Sequence, residues 1–191
     1  MQVPTVYSAF LKLFQTVNFS RVVEIGTAQG GFTLILRDAL DEAGQKDCLL
    51  RTYDTAGHPH GVISSIEAGA NIERFQENIF NTKIYPWTLS SDSSDVVNYI
   101  KSPGKTLVLC DGGCKRMEFP VLSEVIKPGD HIMAHDYAKS TEVFKEHIEN
   151  KIWNWCEIKY SDVEPAFNSY GLEYYMEETF ADVVWLSAVK K

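Results

Sequence analysis

The chain has 191 residues, of which 45% are hydrophobic and 23% charged, proportions typical of a globular protein. At this length we expect residues 1–191 to form a single domain. Acidic residues outnumber basic ones, 26 against 18, for a formal charge of −8. No basic stripe is interleaved with aromatic residues, so a nucleic-acid partner is not expected. No stretch approaches the roughly 18 apolar residues of a membrane span, which argues against a membrane partner.

The cysteines and the first residues indicate a cytoplasmic protein. The four cysteines form no C-x-x-C pair, which suits thiols in a reducing compartment and makes a structural zinc site unexpected. Residues 1–19 lack the basic leader and cleavage site of a signal peptide. Their apolar residues fall at helical spacing instead.

Helix-like and strand-like segments alternate along the chain. We divide it into an N-terminal helix (1–20), a core (21–137) and a C-terminal helix with closing strands (138–191). In chain order the predicted elements after the first helix are a strand at 21–25, a helix at 31–40, a strand at 48–53, a helix at 71–80, a strand at 83–87, a helix at 95–100, a strand at 106–110, a helix at about 117–126, a strand at 131–134, a helix at about 141–153, and strands at about 156–160 and 182–189.

This alternation predicts an α/β fold. We expect a Rossmann-like, doubly wound sheet of about seven mostly parallel strands with helices on both faces and an antiparallel last strand. Ligands of such sheets bind at the carboxyl ends of the strands. The residues directly after each strand are therefore the candidates for function.

A glycine-rich segment follows the first strand, with the sequence VVEIGTAQGG at 22–31. Gly26 permits a sharp turn out of the strand, and Gly30 and Gly31 allow a ligand to approach the backbone at a helix N-terminus. A dinucleotide-binding G-x-G-x-x-G loop would have glycine at position 28, where this chain has Ala28. A nicotinamide-dependent oxidoreductase is therefore our third hypothesis.

The segment resembles the E-x-G-x-x-x-G loop of class I S-adenosylmethionine (SAM)-dependent methyltransferases. Its sequence, EIGTAQGG at 24–31, is most similar to that of the cephalosporin-hydroxylase and rhamnosyl O-methyltransferase group. The resemblance implies that Gly26 and Gly30 line the methionine part of SAM and that Glu24 helps to order the loop. Thr27 and Gly31, in the same loop, are further candidates for cofactor binding. It also implies a SAM cofactor and methyl transfer to a small-molecule acceptor.

Polar residues after the next strands fit the rest of the cofactor. Asp54 can accept two hydrogen bonds from a ribose diol, where the resemblance places the SAM ribose. Ser91 and Asp92 correspond to the adenine-side segment. The alternatives are a strand-terminating aspartate in a turn and an ordinary helix N-cap.

Carboxylates also follow two strands that should be neighbours. Asp111, which we also count among the cofactor-binding residues, and Asp136 could hold Mg²⁺ or Ca²⁺ through oxygen ligands. In catechol-type O-methyltransferases and the cephalosporin-hydroxylase group, such a metal orients the substrate hydroxyl and lowers its pKa. His135 would favour a transition metal, or could act as a general base without metal. The alternative is that these aspartates only cap the following helices.

The sequence departs from the family after Asp111. Relatives often read Asp-Gly-Asp-His there, whereas this chain has Gly113 and Cys114 in place of the acidic residue and the histidine. Lys115 lies near the catalytic lysine of catechol-type enzymes, although its spacing differs; the alternative is a solvated lysine. The missing acidic residue supports a second hypothesis, a non-catalytic SAM-fold binding or assembly protein.

Two further features lie outside these strand ends. His58 and His60 could border the substrate or simply be solvated. Aromatic residues around Tyr170 could form the core, a substrate-binding loop or a dimer contact, so a homo-oligomer is one option.

Overall fold

A computed structural model describes residues 2–57 and 70–191. Its elements, in chain order, are α1 (Val6–Thr16), β1 (Arg21–Ile25), α2 (Gly31–Glu42), β2 (Leu49–Asp54), β3 (Ile72–Gln76), β4 (Phe80–Asn81), β5 (Thr88–Leu89), α3 (Ser94–Lys101), β6 (Thr106–Cys110), α4 (Lys115–Val125), β7 (His131–His135), β8 (Tyr137–Ala138), α5 (Thr141–Val143), a π-helical turn (Phe144–Ile148), β9 (Ile158–Lys159), α6 (Tyr160–Tyr170), β10 (Leu172–Tyr174), α7 (Glu177–Ala181) and β11 (Trp185–Lys190).

Within the described ranges, seven strands form one sheet in the order β10-β11-β7-β6-β1-β2-β3. The strands from β3 to β7 in this order pair in parallel, while β11 runs antiparallel to β7 and to β10. The strand order reverses at β1, which has β2 and β3 on one side and β6 and β7 on the other. Such sheets bind ligands in the crevice at this point of reversal. The predicted fold class, including the antiparallel last strand, is confirmed.

Helices cover both faces of the sheet, and each face has its own core. On one face Phe10 of α1 and Leu36 of α2 pack under β1. On the other face Phe119 of α4 and Phe167 of α6 stack, with ring centroids 6.2 Å apart. Every residue of β1, β6 and β7 is buried, as expected of parallel strands covered on both sides. None of the helices described is both long and apolar enough to cross a membrane.

The predicted helix at 71–80 is wrong. Its first half is the strand β3, at the edge of the sheet and paired with β2. Edge strands tolerate charged residues, so β3 lacks the apolar run of a central strand. Its side chains are stabilised by neighbours from β2: Arg51 forms an ion pair with Glu73, and Phe75 stacks on Tyr53 at 4.8 Å. This pairing outweighs the helical character of the segment.

The predicted strand at 83–87 is also wrong. That segment forms the turn of a hairpin whose strands are β4 and β5, with Phe80 paired to Leu89. β4 and β5 are each two residues long. The apolar residues that suggested a strand at 83–87 lie in the turn between them.

The C-terminal third differs in three respects. The helix predicted to reach 153 stops after Ile148, because Glu149 has extended backbone and Asn150 has φ 59°. The strand expected at about 156–160 is two residues long and pairs with β8 outside the main sheet. We did not predict α6, β10 and α7; α6 contains Pro165 in its interior and ends at Gly171 with φ 65°.

Candidate functional site

A cavity of about 330 Å³ opens at the carboxyl ends of β1, β2 and β6. Gly26, Ala28, Asp54 and Asp111 line it from the strand ends. It therefore lies at the point where the strand order reverses, as the sequence predicted for the ligand site.

Gly26 sets the width of this crevice. Its φ is 96°, and a β-carbon at this position would lie 2.3 Å from the carbonyl oxygen of Asp111. No side chain fits such a distance, so only glycine lets the turn after β1 pass over the end of β6. Farther along the loop, Ala28 and Gly30 also have positive φ, 45° and 83°, and Gly30 leads directly into α2.

Asp54 fixes the glycine loop from the end of β2. One of its carboxylate oxygens accepts a hydrogen bond from the Ala28 backbone N–H at 2.7 Å, and the other accepts one from the Ala56 N–H at 2.8 Å. Asp54 also lines the cavity. Its ribose contact stays a prediction.

Three of the residues predicted to bind the cofactor, Glu24, Thr27 and Gly31, do not line the cavity. Glu24 is fully buried and accepts a hydrogen bond from Thr33 of α2 at 2.6 Å. Burial raises the pKa of Glu24 to about 8. The Thr27 hydroxyl is 2.6 Å from that of Thr52, and Gly31 is exposed at the start of α2. Glu24 and Thr27 thus hold the strand, loop and helix together, and neither they nor Gly31 line the cavity.

Ser91 and Asp92 are exposed and hydrogen-bonded to each other at 3.1 Å, outside the residues that line the cavity. The apolar residues Ile79, Phe80 and Trp87 line the cavity instead, next to the polar residues Glu77, Asn78 and Thr82. Sequence reasoning missed the three apolar residues because it assigned the first two to a helix and the third to a strand.

The structure brings Asp111, His135 and Asp136 together beside the cavity. One ligand-type atom from each lies within 4.8 Å of the other two. The Nδ1 atom of His135 is 3.0 Å from Asp111 and 3.4 Å from Asp136. A lone pair on Nδ1 would face the lone pairs of both carboxylates, so we place the ring proton there, and the imidazole donates to Asp111.

Lys115, at the start of α4, is buried against the same group, so the alternative of a solvated lysine is wrong. Its ammonium group lies 3.0 Å from Asp136, 2.9 Å from Glu157 and 3.9 Å from Asp111. Burial opposes the charge on Lys115, but the hydrogen bond to Glu157 and the charge of Asp136 outweigh burial and raise the lysine pKa. A protonated lysine has no lone pair, so this arrangement gives no support to Lys115 as a general base.

Three residues that sequence reasoning missed complete the cluster. Glu157 contacts Lys115, the indole N–H of Trp153 donates to Asp136 at 2.7 Å, and the Gln2 amide donates to Asp111 at 2.8 Å. All three are far from the strand ends in sequence, and no motif marks them. Asp136 itself has φ 58°, an uncommon conformation that aspartate tolerates better than most residues.

A further missed carboxyl group lies in the cavity wall. Glu118 of α4 accepts hydrogen bonds from the backbone N–H groups of Gly112 (3.1 Å) and Cys114 (2.9 Å). Burial raises the pKa of Glu118 to about 7. Glu118 thus brings an acidic group to the turn in which Gly113 replaces the expected acidic residue.

The hydrogen bonds around Asp111 and Asp136 bear on whether a divalent metal fits between them. The three predicted ligands are close enough together, but each oxygen of Asp111 and Asp136 already accepts a hydrogen bond from a protein group. The lysine ammonium also lies where a cation would sit. As they stand, these residues do not fit a resident divalent ion, and metal binding stays a prediction.

The predicted substrate-bordering histidines, His58 and His60, lie outside the described residues. Tyr170 of α6 is partly buried, and its hydroxyl lies 3.4 Å from Glu124. Its predicted role in substrate binding or dimerisation is not tested by this contact.

Solved structures match this chain in fold. No family model matches the sequence, and a comparison with curated proteins finds no match. CmcI in its apo form is 13% identical, with 98% of this chain and 72% of CmcI covered and a TM-score of 0.63. CmcI with Mg and SAM is 16% identical, with coverages of 96% and 71% and a TM-score of 0.56.

An O-methyltransferase family protein from Burkholderia thailandensis is 12% identical, with 97% of this chain covered and a TM-score of 0.57. The present chain spans 56% of that protein's length. Identities this low establish the fold alone: the chain has the Rossmann-like α/β fold of O-methyltransferases.

Proposed function

We propose that this protein transfers the methyl group of SAM to an oxygen atom of a small molecule. The observation that carries the proposal is the cavity between Gly26, Asp54 and Asp111, which borders the buried carboxylate cluster. One crevice thus combines the narrow turn at Gly26, a candidate hydrogen-bond acceptor for the ribose hydroxyls at Asp54, and a polar site for the reacting group at Asp111. The CmcI structure with Mg and SAM has the same fold and supports SAM as the cofactor.

The cavity suits SAM in size and in the distribution of its surfaces. Its volume of about 330 Å³ lies at the lower end of the range for ligand pockets. The Gly26 turn would face the methionine part, Asp54 the ribose, and Phe80 and Trp87 the adenine ring. An aromatic and apolar wall stabilises a flat heterocycle by burying its faces.

Asp111 is the member of the cluster that an acceptor can reach. It lines the cavity, while His135 is almost fully buried behind it. In the proposed reaction the acceptor oxygen attacks the methyl carbon, the S–CH₃ bond breaks, and S-adenosylhomocysteine leaves. Asp111 accepts the proton of the acceptor hydroxyl, and His135 holds the carboxylate in place through Nδ1. Most of the rate enhancement comes from holding oxygen and methyl in line.

The proposal assigns no step to a metal, because Lys115 already contributes a positive charge to the cluster. A metal at Asp111, His135 and Asp136 would supply a Lewis acid that lowers the pKa of the acceptor hydroxyl. It would first have to displace the hydrogen bonds described above.

Calorimetric titration with SAM and S-adenosylhomocysteine tests the cofactor. We expect micromolar dissociation constants, about −8 kcal/mol of binding free energy. Asp54→Ala should weaken binding at least tenfold, whereas Asp47→Ala, at an exposed aspartate after α2, should leave it unchanged. Absence of binding by either compound would overturn the proposal, and a parallel titration with NADH tests the oxidoreductase hypothesis.

Transfer of radiolabelled methyl from SAM to a panel of phenols, catechols and sugars tests the reaction. The specific rival is a non-catalytic SAM-fold binding or assembly protein, favoured by Gly113 at the position of the family's acidic residue. Tight SAM binding without transfer to any hydroxyl acceptor would support that rival. Transfer that is lost in Asp111→Asn, with SAM binding retained, supports the proposed enzyme.

A further inference from the structure

The ammonium group of Lys115 lies at the centre of three carboxylates. It forms hydrogen bonds of 2.9 and 3.0 Å with Glu157 and Asp136, and lies 3.9 Å from Asp111. These acids come from the ends of β6 and β7 and from the segment before β9. Lys115 thus ties together three parts of the chain that are distant in sequence.

We propose that Lys115 is the resident cation of this site and takes the place of a divalent metal. It offsets part of the negative charge of Asp111 and Asp136 from within the chain and positions them for the methyl acceptor. Its consequence for catalysis rests on the proposed methyl transfer, but its consequence for metal binding does not. Lys115 acts through the two aspartates and is therefore a positioning residue.

The hydrogen bonds of the cluster leave no carboxylate oxygen of the two aspartates without a protein donor. On Asp111, the donors are His135 and Gln2. On Asp136, they are Trp153 and Lys115. Among these donors Lys115 contributes a full positive charge, so it supplies attraction of the kind that a metal ion would otherwise supply.

The side chains of Lys115, Asp111 and Asp136 are nearly buried, so the charge on each depends on its partners. The side chain of Lys115 is 8% exposed, and those of Asp111 and Asp136 are 14% and 10% exposed. A charge so poorly hydrated is tolerated only when it is paired and hydrogen-bonded. Removing the ammonium group would leave the nearly buried carboxylates of Asp111 and Asp136 without the cation that faces them. Oxygen ligands arranged in that way attract Mg²⁺ or Mn²⁺.

The proposal makes opposite predictions for the natural protein and for a variant without the ammonium group. We would titrate each with Mn²⁺ alone and follow the electron paramagnetic resonance signal of the free ion. The natural protein should show no stoichiometric site below about 1 mM, and Lys115→Met should gain one at least tenfold tighter, since affinity rises with the net negative charge of the ligands. The double variant Lys115→Met/Asp136→Asn should lose the gained site.

Two matched controls separate the charge from the side chain. Lys115→Arg keeps a cation and should gain no metal site, and Lys46→Met, at an exposed lysine, should behave as the natural protein. Circular dichroism establishes that each variant is folded. If Lys115→Met does not fold, the titration of the natural protein still decides the question.

Stoichiometric Mn²⁺ binding by the natural protein, lost in Asp111→Asn or Asp136→Asn, would overturn the proposal. A folded Lys115→Met variant without a new site would overturn it as well. Both results are independent of SAM, so a failure of the proposed function appears in the calorimetry with SAM and a failure of this inference in the metal titration. If both proposals hold, methyl transfer by the natural protein is unaffected by EDTA.

Discussion

Gly26 and Asp111 approach each other so closely that the turn after β1 rests on the backbone at the end of β6. A β-carbon on Gly26 would lie 2.3 Å from the Asp111 carbonyl oxygen and 2.8 Å from the Gly112 nitrogen. The two strands pair in register up to Ile25 and Cys110, so neither end can move aside without breaking the sheet. This contact shapes the cavity. It also fixes the backbone of Asp111, the residue that we propose to accept the proton of the methyl acceptor.

Gly26→Ala should therefore destabilise the protein by several kcal/mol. The methyl group would clash with rigid backbone, and φ 96° is itself strained for alanine. Urea denaturation followed by circular dichroism measures the change. Gly31→Ala is the matched control for stability, because Gly31 lies in α2 with nothing within 4 Å of the added carbon. An equal effect of the two substitutions would contradict the role of the close contact.

Glu118 should give the protein a stability that depends on pH. Burial raises the pKa of Glu118 to about 7, so the folded state holds this proton more tightly than the unfolded state does. The contribution is fully present below the unfolded pKa of about 4.3 and is lost as pH rises to about 7, a change of order 3 kcal/mol.

The measurement compares the natural protein with Glu118→Gln by urea denaturation at pH 5 and pH 8. Glutamine does not titrate, so the variant should gain stability relative to the natural protein as the pH rises. A stability difference that stays constant between the two pH values would show that Glu118 is charged in the folded state throughout this range.

The strands that sequence reasoning placed best are those buried on both faces. β1, β6 and β7 read as apolar runs because they are covered by helices on both sides, and their ends supplied Gly26, Asp111 and Asp136 as candidates. The grouping of Asp111 with the residues after β7 followed from the topology, since parallel neighbours end at the same edge. That part of the site was therefore predictable.

The remaining parts depend on contacts that no local pattern encodes. β3 forms only because β2 offers it an edge. Trp153 contacts Asp136 and Glu157 contacts Lys115, both from a segment whose fold we predicted incorrectly. A lysine beside a strand end looks the same in sequence whether it is solvated or buried. For Lys115, the deciding factor is Glu157, 42 residues farther along the chain.

Trp153 should stabilise Asp136 through its indole N–H, which donates to the carboxylate at 2.7 Å. Trp153→Phe keeps the aromatic ring and removes the donor, and should destabilise the protein by about 1–3 kcal/mol, as expected for a lost hydrogen bond to a charged group. Under the proposed function it should also lower kcat for methyl transfer without changing the dissociation constant of SAM. Trp155→Phe is the matched control, because Trp155 is 62% exposed and lies beside Trp153. A substitution there should change stability by less than about 0.5 kcal/mol.

Gln2 connects the start of the chain to the carboxylate cluster. Its amide nitrogen donates to Asp111 at 2.8 Å, and its amide oxygen accepts from the Trp185 indole at 3.1 Å. Gln2→Ala should leave one Asp111 oxygen and the indole N–H without these partners, at a cost of about 1–2 kcal/mol of unfolding free energy. Gln15→Ala, at an exposed glutamine of α1, is the matched control and should be close to neutral.

The two substitutions can be compared by urea denaturation, and the proposed function adds a second measurement. Loss of the Gln2 hydrogen bond removes a donor from the Asp111 carboxylate, which we propose to contact the acceptor hydroxyl. Gln2→Ala should therefore change the KM for the methyl acceptor more than the dissociation constant of SAM. An unchanged stability in Gln2→Ala would mean that water replaces the glutamine amide on both partners, and that the start of the chain does not support the site.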